Sequence, residues 1–207
     1  MTELRRQIGK ICLAALFLAL GLVLPTITGN IPQYGSMFLP MHLPVILAGF
    51  VLGPWYGLVL GAATPLLRSV FFGMPPIFPT ALSMSFELAA YGFTSGFLFY
   101  LIYRKFKKIN IYGNIFISLI SSLVVGRLVY GFAMWILMLC NSSVQFNGTI
   151  YINGILLNAW PGILIQLVLV PSLVIILYKA KLLQPYLDPI VKKQEKVDNN
   201  EGGELSK

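Results

Sequence analysis

Long apolar segments that are almost free of charge dominate this chain of 207 residues. Hydrophobic residues make up 57% of the sequence and charged residues 11%. Soluble domains carry about 25% charged residues. A helix that crosses a membrane needs about 20 apolar residues, so six such helices use roughly 120 residues and leave room only for short loops and a tail. The sequence therefore predicts an all-α integral membrane protein with six transmembrane helices.

The apolar segments and the Pro- and Gly-rich stretches between them divide the chain into helices. The first two predicted helices cover residues 8–24 and 37–52. After a turn at 53–57, the third helix ends at 72, and the last three cover 79–103, 116–139 and 152–178. Pro161 and Pro171 are expected to kink the last of them. Residues 1–180 would form one membrane domain, and 181–207 a cytoplasmic polar tail that is partly disordered.

Glycines recur at every fourth position in the middle of the chain. Gly49, Gly53, Gly57 and Gly61 keep this spacing, and Gly92 and Gly96 repeat it. Small residues one helical turn apart let two helix backbones approach closely. We expect these glycines to pack helices together, and some of them to face a partner.

The formal net charge of +8 could suggest binding to a nucleic acid, but the placement of the basic residues argues against it. Thirteen of the 15 Lys and Arg residues flank the apolar segments, in the head 1–10, in the loop 104–108 and from residue 179 onward. This is the positive-inside pattern of a membrane protein. It predicts that both termini are cytoplasmic, and no nucleic-acid partner is expected.

Two neighbouring apolar segments carry opposite charges, Arg68 and Glu87, on either side of a Pro-rich corner at 74–79. If the two segments are antiparallel helices joined at this corner, both charges lie roughly 12–15 Å below it. Opposite charges at one depth predict an ion pair or two walls of a polar pocket. An ionisable residue inside a membrane is by default a candidate for a functional site.

Further polar and aromatic side chains fall mostly in the outer half of the predicted helices. The candidate substrate-binding residues are Arg68, Glu87, Arg127, His42, Tyr91, Asn158, Trp160 and Tyr34. Gln166 is another buried polar residue. The uncharged loop 25–36 would either cover the site as a lid or simply connect two helices. Two arginines against one glutamate favour a ligand with a carboxylate, which Arg binds through two parallel hydrogen bonds.

A purely structural interpretation of these residues stays open. Arg68 and Glu87 could form a structural ion pair, Arg127 could bind backbone carbonyls or a lipid headgroup, and His42 could be a structural hydrogen-bond donor. The aromatic residues could simply pack in the core or at the membrane interface.

Motifs for catalysis or for metal binding are missing from the sequence. It has one intramembrane carboxylate, one histidine and no nucleotide-binding phosphate loop, so neither an enzyme nor a cofactor is predicted. Cys12 and Cys140 lack metal-type spacing, and a disulfide between them is not expected. A self-sufficient secondary transporter stays open, although the internal repeat typical of that class is absent. A structural membrane protein without a ligand is the third possibility.

Several stretches resemble the substrate-binding S-components of energy-coupling factor (ECF) vitamin transporters. The first helix contains Ala15 and Ala19 in an A-x-x-x-A pattern. The stretch 39–57, with its Gly-Pro-x-x-Gly turn, resembles the second and third helices of that family. The segments Thr-Pro-Leu-Leu-Arg-Ser, Gly-Met-Pro-Pro and Phe-Glu-Leu-Ala-Ala-Tyr-Gly within 64–92 resemble its third and fourth helices. The resemblance extends over about residues 8–180.

The resemblance implies a multi-pass protein of a bacterial plasma membrane that binds a vitamin or a precursor beneath its outer loops. Such a protein associates with a transmembrane T-component and two cytosolic ATPases, whose ATP hydrolysis releases the ligand inside. Ala15 and Ala19 would face the T-component, with ordinary helix packing as the alternative. The segments Met-His-Leu-Pro and Gly-Met-Pro-Pro are most similar to members assigned to pantothenate. The alternative ligands, α-ribazole and pyridoxine, would depend on stacking by Trp160 or Tyr91.

Overall fold

A computed structural model describes residues 3–27, 38–105, 110–141, 147–153 and 159–180. This part of the chain is helical apart from short turns and helix ends. Its six long helices are α1 (Glu3–Ile27), α2 (His42–Leu52), α3 (Pro54–Phe72), α4 (Leu82–Lys105), α5 (Ile111–Cys140) and α6 (Trp160–Lys179). A π-helical turn, Ile77–Ala81, leads into α4, and a five-residue helix, Gly148–Ile152, lies between α5 and α6. The all-α class and the number of long helices are as predicted.

Four of the helices, α1, α3, α5 and α6, are long and apolar enough to cross a membrane. Helix α4 has 24 residues but includes Glu87 and several serines, which make it more polar. Helix α2 has only 11 residues, ten of them buried, and it packs against α1, α3, α4 and α6. Because α2 is central, the other helices shield it from lipid.

The charged ends of the helices define two ends of the bundle. Arg104 and Lys105 occupy the last turn of α4, and Lys179 the last turn of α6. Successive membrane-crossing helices alternate in direction, so these residues lie at the same end, which we call the inner end. The opposite end, which contains the corner between α3 and α4, is the outer end.

Glycines bring the backbones of α3 and α4 into contact. A Cβ atom on Gly57 or Gly92 would overlap the backbone of the other residue, and one on Gly61 would overlap the backbone of Leu88. Gly96 is equally close to the turn between α2 and α3, where Gly53 has a φ of 101°. A φ in this region favours glycine. The predicted packing role of the glycines is confirmed.

The same contacts correct the expected depth of the two opposite charges. The contacts Gly57–Gly92 and Gly61–Leu88 fix the register of the antiparallel helices α3 and α4. In this register Glu87 lies level with Ala62. Arg68 is six residues farther along α3, about 9 Å nearer the outer end at 1.5 Å per residue. The equal-depth expectation was wrong because the corner is asymmetric: α3 ends at a left-handed Gly73, whereas the π-helical turn adds residues before α4.

Helices α2 and α4 run parallel in one fixed register. The Ser95 hydroxyl donates a hydrogen bond to the Ile46 carbonyl, the Tyr100 hydroxyl donates one to the Val51 carbonyl, and the Phe50 and Phe99 rings are 5.3 Å apart edge to face. This register places His42, the first residue of α2, at the level of Tyr91.

Several helix boundaries differ from the predictions, including the start of α1 at Glu3 and of α2 at His42 rather than at 37. Helix α1 continues beyond Leu24, through Pro25, to Ile27. Helix α5 begins at Ile111 rather than at 116, since the Asn114 amide donates to the Phe99 carbonyl and is therefore stable inside a helix. The predicted helix 152–178 is not continuous: α6 begins at Trp160. Pro161 lies in its first turn, where a proline is well tolerated, and starts the helix instead of kinking it.

Several predictions fall outside the described residues. They concern Tyr34 and nearly all of the loop 25–36, Asn158 before α6, and the tail 181–207.

Candidate functional site

An ion pair between α4 and α5 lies at the centre of the candidate site. Glu87 is buried, with 2% of its side chain exposed, and its Oε1 atom accepts a hydrogen bond of 2.8 Å from Nη1 of Arg127. The Arg127 side chain is 14% exposed. A buried ion pair is stable only while both partners remain, because removal of one leaves an uncompensated charge.

His42, on a third helix, α2, lies next to this ion pair. Its Nε2 atom is 3.7 Å from Oε1 of Glu87, beyond the usual distance of a hydrogen bond. The imidazole is 1% exposed, and neither ring nitrogen has a hydrogen-bond partner among the residues that the structure describes. Helices α2, α4 and α5 therefore converge on one carboxylate, with polar atoms of His42 still available for binding.

Tyr91 lies beside the imidazole, at the same level of the bundle. Its ring packs edge to face against His42, with 5.3 Å between the ring centroids. The phenol end of the ring lies against Gly126, where a Cβ atom would come within 2.7 Å of Cζ. Tyr91 is thus enclosed on the side of α2 and on the side of α5.

Arg68 lies on a different side of the bundle from the one expected. It is 3% exposed, its Nη1 atom donates a hydrogen bond to the Leu22 carbonyl of α1, and its guanidinium stacks 5.1 Å from the Phe72 ring. The pairing of Arg68 with Glu87 is therefore corrected: the cation that binds Glu87 is Arg127. Sequence spacing within the α3–α4 hairpin could not reveal this, since Arg127 is 40 residues from Glu87 in the chain.

The remaining candidates have different surroundings. Trp160 is the first residue of α6 and is 53% exposed. Gln166, two turns farther along α6, is 1% exposed, and neither atom of its amide group has a hydrogen-bond partner in the described part of the chain. Gln166 was identifiable in the sequence as one of the few buried polar residues that an outward-facing pocket could bring together, although it is not among the candidate binding residues.

A model of the family described as "ECF transporter, substrate-specific component" matches residues 9–174, which is most of the chain. The chain belongs to this family. It is a multi-pass membrane protein that binds a substrate for transport, and it is not an enzyme. Comparisons with curated proteins and with solved structures give no match.

The A-x-x-x-A pattern of this S-component lies on the surface of the bundle. Ala15 and Ala19 are exposed on α1, beside the exposed Ile11 and Leu16. The opposite side of α1, which includes Leu13 and Phe17, packs against the core. The two alanines therefore form a smooth strip that faces either lipid or another protein.

The cysteines and acidic residues of this S-component form no further site within the described ranges. Cys12 and Cys140 are both free and exposed. The described residues contain no group of three or more His, Cys, Asp or Glu side chains that could hold a metal ion.

Proposed function

We propose that this S-component captures pantothenate near its outer end and delivers it in an ATP-driven complex. The observation that carries the proposal is the buried cluster of Glu87, Arg127 and His42 within an apolar, membrane-spanning bundle. Ionisable groups at such positions are expensive, and most of them serve transport or ligand binding.

The balance of buried charges favours a ligand with a carboxylate. Arg68 and Arg127 together carry two positive charges, and Glu87 carries one negative charge. One negative charge on the ligand would restore neutrality in a medium where net charge is costly. The carboxylate would bind Arg68 or Arg127, since a guanidinium matches it through two parallel hydrogen bonds.

The positions of the aromatic residues make the alternative ligands less favourable. Both α-ribazole and pyridoxine contain an aromatic ring that would need a stacking surface. His42 and Gly126 already enclose Tyr91, which leaves Trp160 as the aromatic candidate for stacking among those that the structure describes. Pantothenate has no ring, so it needs no such surface.

Energy for transport would come from partner proteins. The sequence has no nucleotide-binding phosphate loop, so a T-component and two cytosolic ATPases would supply ATP hydrolysis. We propose that the T-component binds the exposed strip at Ala15 and Ala19, where small side chains allow a second helix to approach closely. Tyr34 and Asn158 remain part of the proposed ligand site.

A thermal-shift measurement on the purified protein tests the ligand. A ligand that binds only the folded state raises the melting temperature with increasing concentration. We expect pantothenate to do so, and α-ribazole and pyridoxine to have no effect. Stabilisation by one of the other two compounds would change the assigned ligand but leave the proposed transport role intact. No stabilisation by any of them would remove the basis of the vitamin assignment.

Uptake into vesicles tests the energy source. Vesicles that contain this protein alone, with an ion gradient and no ATPase, should not accumulate pantothenate. Vesicles that also contain the T-component and the ATPases should accumulate it when ATP is supplied. Accumulation driven by the gradient alone would mean that the chain is a self-sufficient secondary transporter.

A further inference from the structure

Gln166 is a buried amide that the fold itself does not use. Its side chain is 1% exposed, and neither Oε1 nor Nε2 has a hydrogen-bond partner among the described residues. Most buried polar groups in proteins have at least one partner, and exceptions require an explanation. The penalty is severe in a membrane, where water cannot reach the bundle to compensate.

Other buried polar side chains of this bundle show what a structural role looks like. The Asn114 amide donates to the Phe99 carbonyl at 3.0 Å, and the Ser118 hydroxyl donates to Asn114 Oδ1 at 3.1 Å. Both residues are as buried as Gln166. A buried amide that holds helices together therefore has visible partners here, and Gln166 does not fit that description.

Gln166 and His42 each precede a buried apolar stripe on two helices that pack against each other. The buried stripe of α6 includes Gln166, Val170 and Val174, and the two valines belong to the same core cluster as Ile46 and Phe50 of α2. Helix α6 packs against α2 and α5. In each of α2 and α6, the polar residue is one turn closer to the outer end than the first of these core residues.

We propose that Gln166 and His42 form the neutral, hydrogen-bonding part of the ligand site. The Gln166 side chain has a carbonyl oxygen that accepts and an NH2 group that can donate two hydrogen bonds. A neutral imidazole has one N–H that donates and one nitrogen that accepts. The complementary ligand group has both a donor and an acceptor, as an amide or a pair of hydroxyls does. This inference deepens the proposed function and rests on it: Arg68 or Arg127 binds the charged end of the ligand, and these two residues bind its uncharged polar part.

Replacement of Gln166 by methionine separates a ligand-binding role from a structural one. Methionine has a similar volume but no amide, so Gln166→Met removes the buried polar atoms without opening a cavity. The matched control is Asn114→Leu, which removes a buried amide that does have a partner, at the inner end. In the ligand-free protein we expect Gln166→Met to keep or raise the melting temperature, whereas Asn114→Leu lowers it.

Ligand affinity supplies the second measurement. The probes are pantothenate and panthenol, which retains the amide and the hydroxyls but has an alcohol in place of the carboxylate. Gln166→Met should weaken both probes by the same factor, roughly tenfold for the loss of one or two hydrogen bonds. Asn114→Leu should leave both affinities unchanged.

The outcomes distinguish this inference from the proposed function. If wild-type protein binds pantothenate and Gln166→Met binds it equally well, the inference is wrong and the proposed function stands. A loss confined to pantothenate would place Gln166 at the carboxylate and would also overturn the inference. If wild-type protein binds neither probe, the proposed function fails, and the ligand-free melting temperatures still decide: a decrease in Gln166→Met as large as that in Asn114→Leu shows a structural amide.

Discussion

The inner and outer halves of the bundle treat their polar residues differently. In the inner half the Tyr100 hydroxyl donates to the Val51 carbonyl and the Asn114 amide donates to the Phe99 carbonyl. In the outer half the Glu87–Arg127 ion pair is buried, and the side chains of His42 and Gln166 have no hydrogen-bond partners among the described residues. Serines near the outer corner, such as Ser69 and Ser85, do donate to backbone carbonyls, so the contrast lies in the two larger side chains of His42 and Gln166.

This difference separates scaffold from site. Partnered hydrogen bonds and glycine contacts stabilise the inner half and fix the register of α2, α3 and α4. The outer half retains charges and polar atoms that an apolar core would not need, at a cost in stability. Residues that reduce stability in a protein of marginal stability usually serve function. Mutations of the scaffold should therefore lower stability without weakening binding, whereas mutations in the outer half should weaken binding and lower stability only where they leave a buried charge unpaired.

The largest effect is expected when the ion pair of the outer half is broken. Arg127→Met leaves the Glu87 carboxylate buried without its cation, which should lower the free energy of unfolding by about 3–5 kcal/mol. Denaturant unfolding in detergent measures this. The double variant Arg127→Met/Glu87→Gln removes both charges and should recover much of the loss. An equally unstable double variant would show that packing, not charge, accounts for the effect.

Arg68→Ala should act on binding more than on folding. A hydrogen-bonded contact between charged groups contributes about 1.5–3 kcal/mol, so pantothenate affinity should fall roughly ten- to a hundredfold. Titration calorimetry measures the affinity. Arg68→Lys keeps the charge but not the two parallel hydrogen bonds and should give an intermediate value. Panthenol, which lacks the carboxylate, should bind Arg68→Ala as well as it binds wild type.

Normal pantothenate affinity in a folded Arg68→Ala protein would remove Arg68 from the site. In that case Arg68 would have a structural role, and its hydrogen bond to the Leu22 carbonyl would help to join α3 to α1.

A glycine of the scaffold should show the reverse signature. In Gly92→Ala the new methyl group would meet the Gly57 backbone, which cannot move aside as a flexible side chain can. We expect a loss of about 1–3 kcal/mol in the free energy of unfolding, as for other overpacked sites. Gly148→Ala, where the methyl group meets nothing within 4 Å, is the control. Ligand affinity of the folded Gly92→Ala protein should match wild type, and a weakened affinity would mean that the two halves are not separable.

The helical class, the glycine packing and the family could be predicted from the sequence because each depends on local composition or spacing. The span of α3 up to Phe72 follows from its apolar length and from the Gly-Pro pair that starts it. The family resemblance over residues 8–180 agrees with the matched range 9–174.

The pairing of the charges could not be predicted in the same way. Equal depth for Arg68 and Glu87 assumes a symmetric corner, and the π-helical turn Ile77–Ala81 breaks that symmetry. The choice of Arg127 as the cation depends on the contact between α4 and α5, which no local pattern encodes. The Asn114 position illustrates the same limit, because a tertiary partner, the Phe99 carbonyl, stabilises an asparagine inside a helix.

The smallest effect on folding and on affinity is expected on the exposed side of α1, which belongs neither to the packed core nor to the proposed ligand site. Ala15→Trp/Ala19→Trp adds two large side chains to an exposed strip, so the melting temperature and pantothenate affinity should stay at wild-type values. ATP-driven uptake in vesicles should stop, because a second helix could no longer approach the strip closely. The matched control is Val124→Trp/Leu128→Trp, which has the same spacing on the exposed side of α5 and should transport normally.

Normal uptake by the Ala15→Trp/Ala19→Trp variant would mean that the T-component binds elsewhere. Loss of uptake in both variants would show that large side chains on any exposed face are harmful. Loss in the alanine variant alone, with binding intact, would show that capture of the ligand and coupling to ATP hydrolysis use separate surfaces.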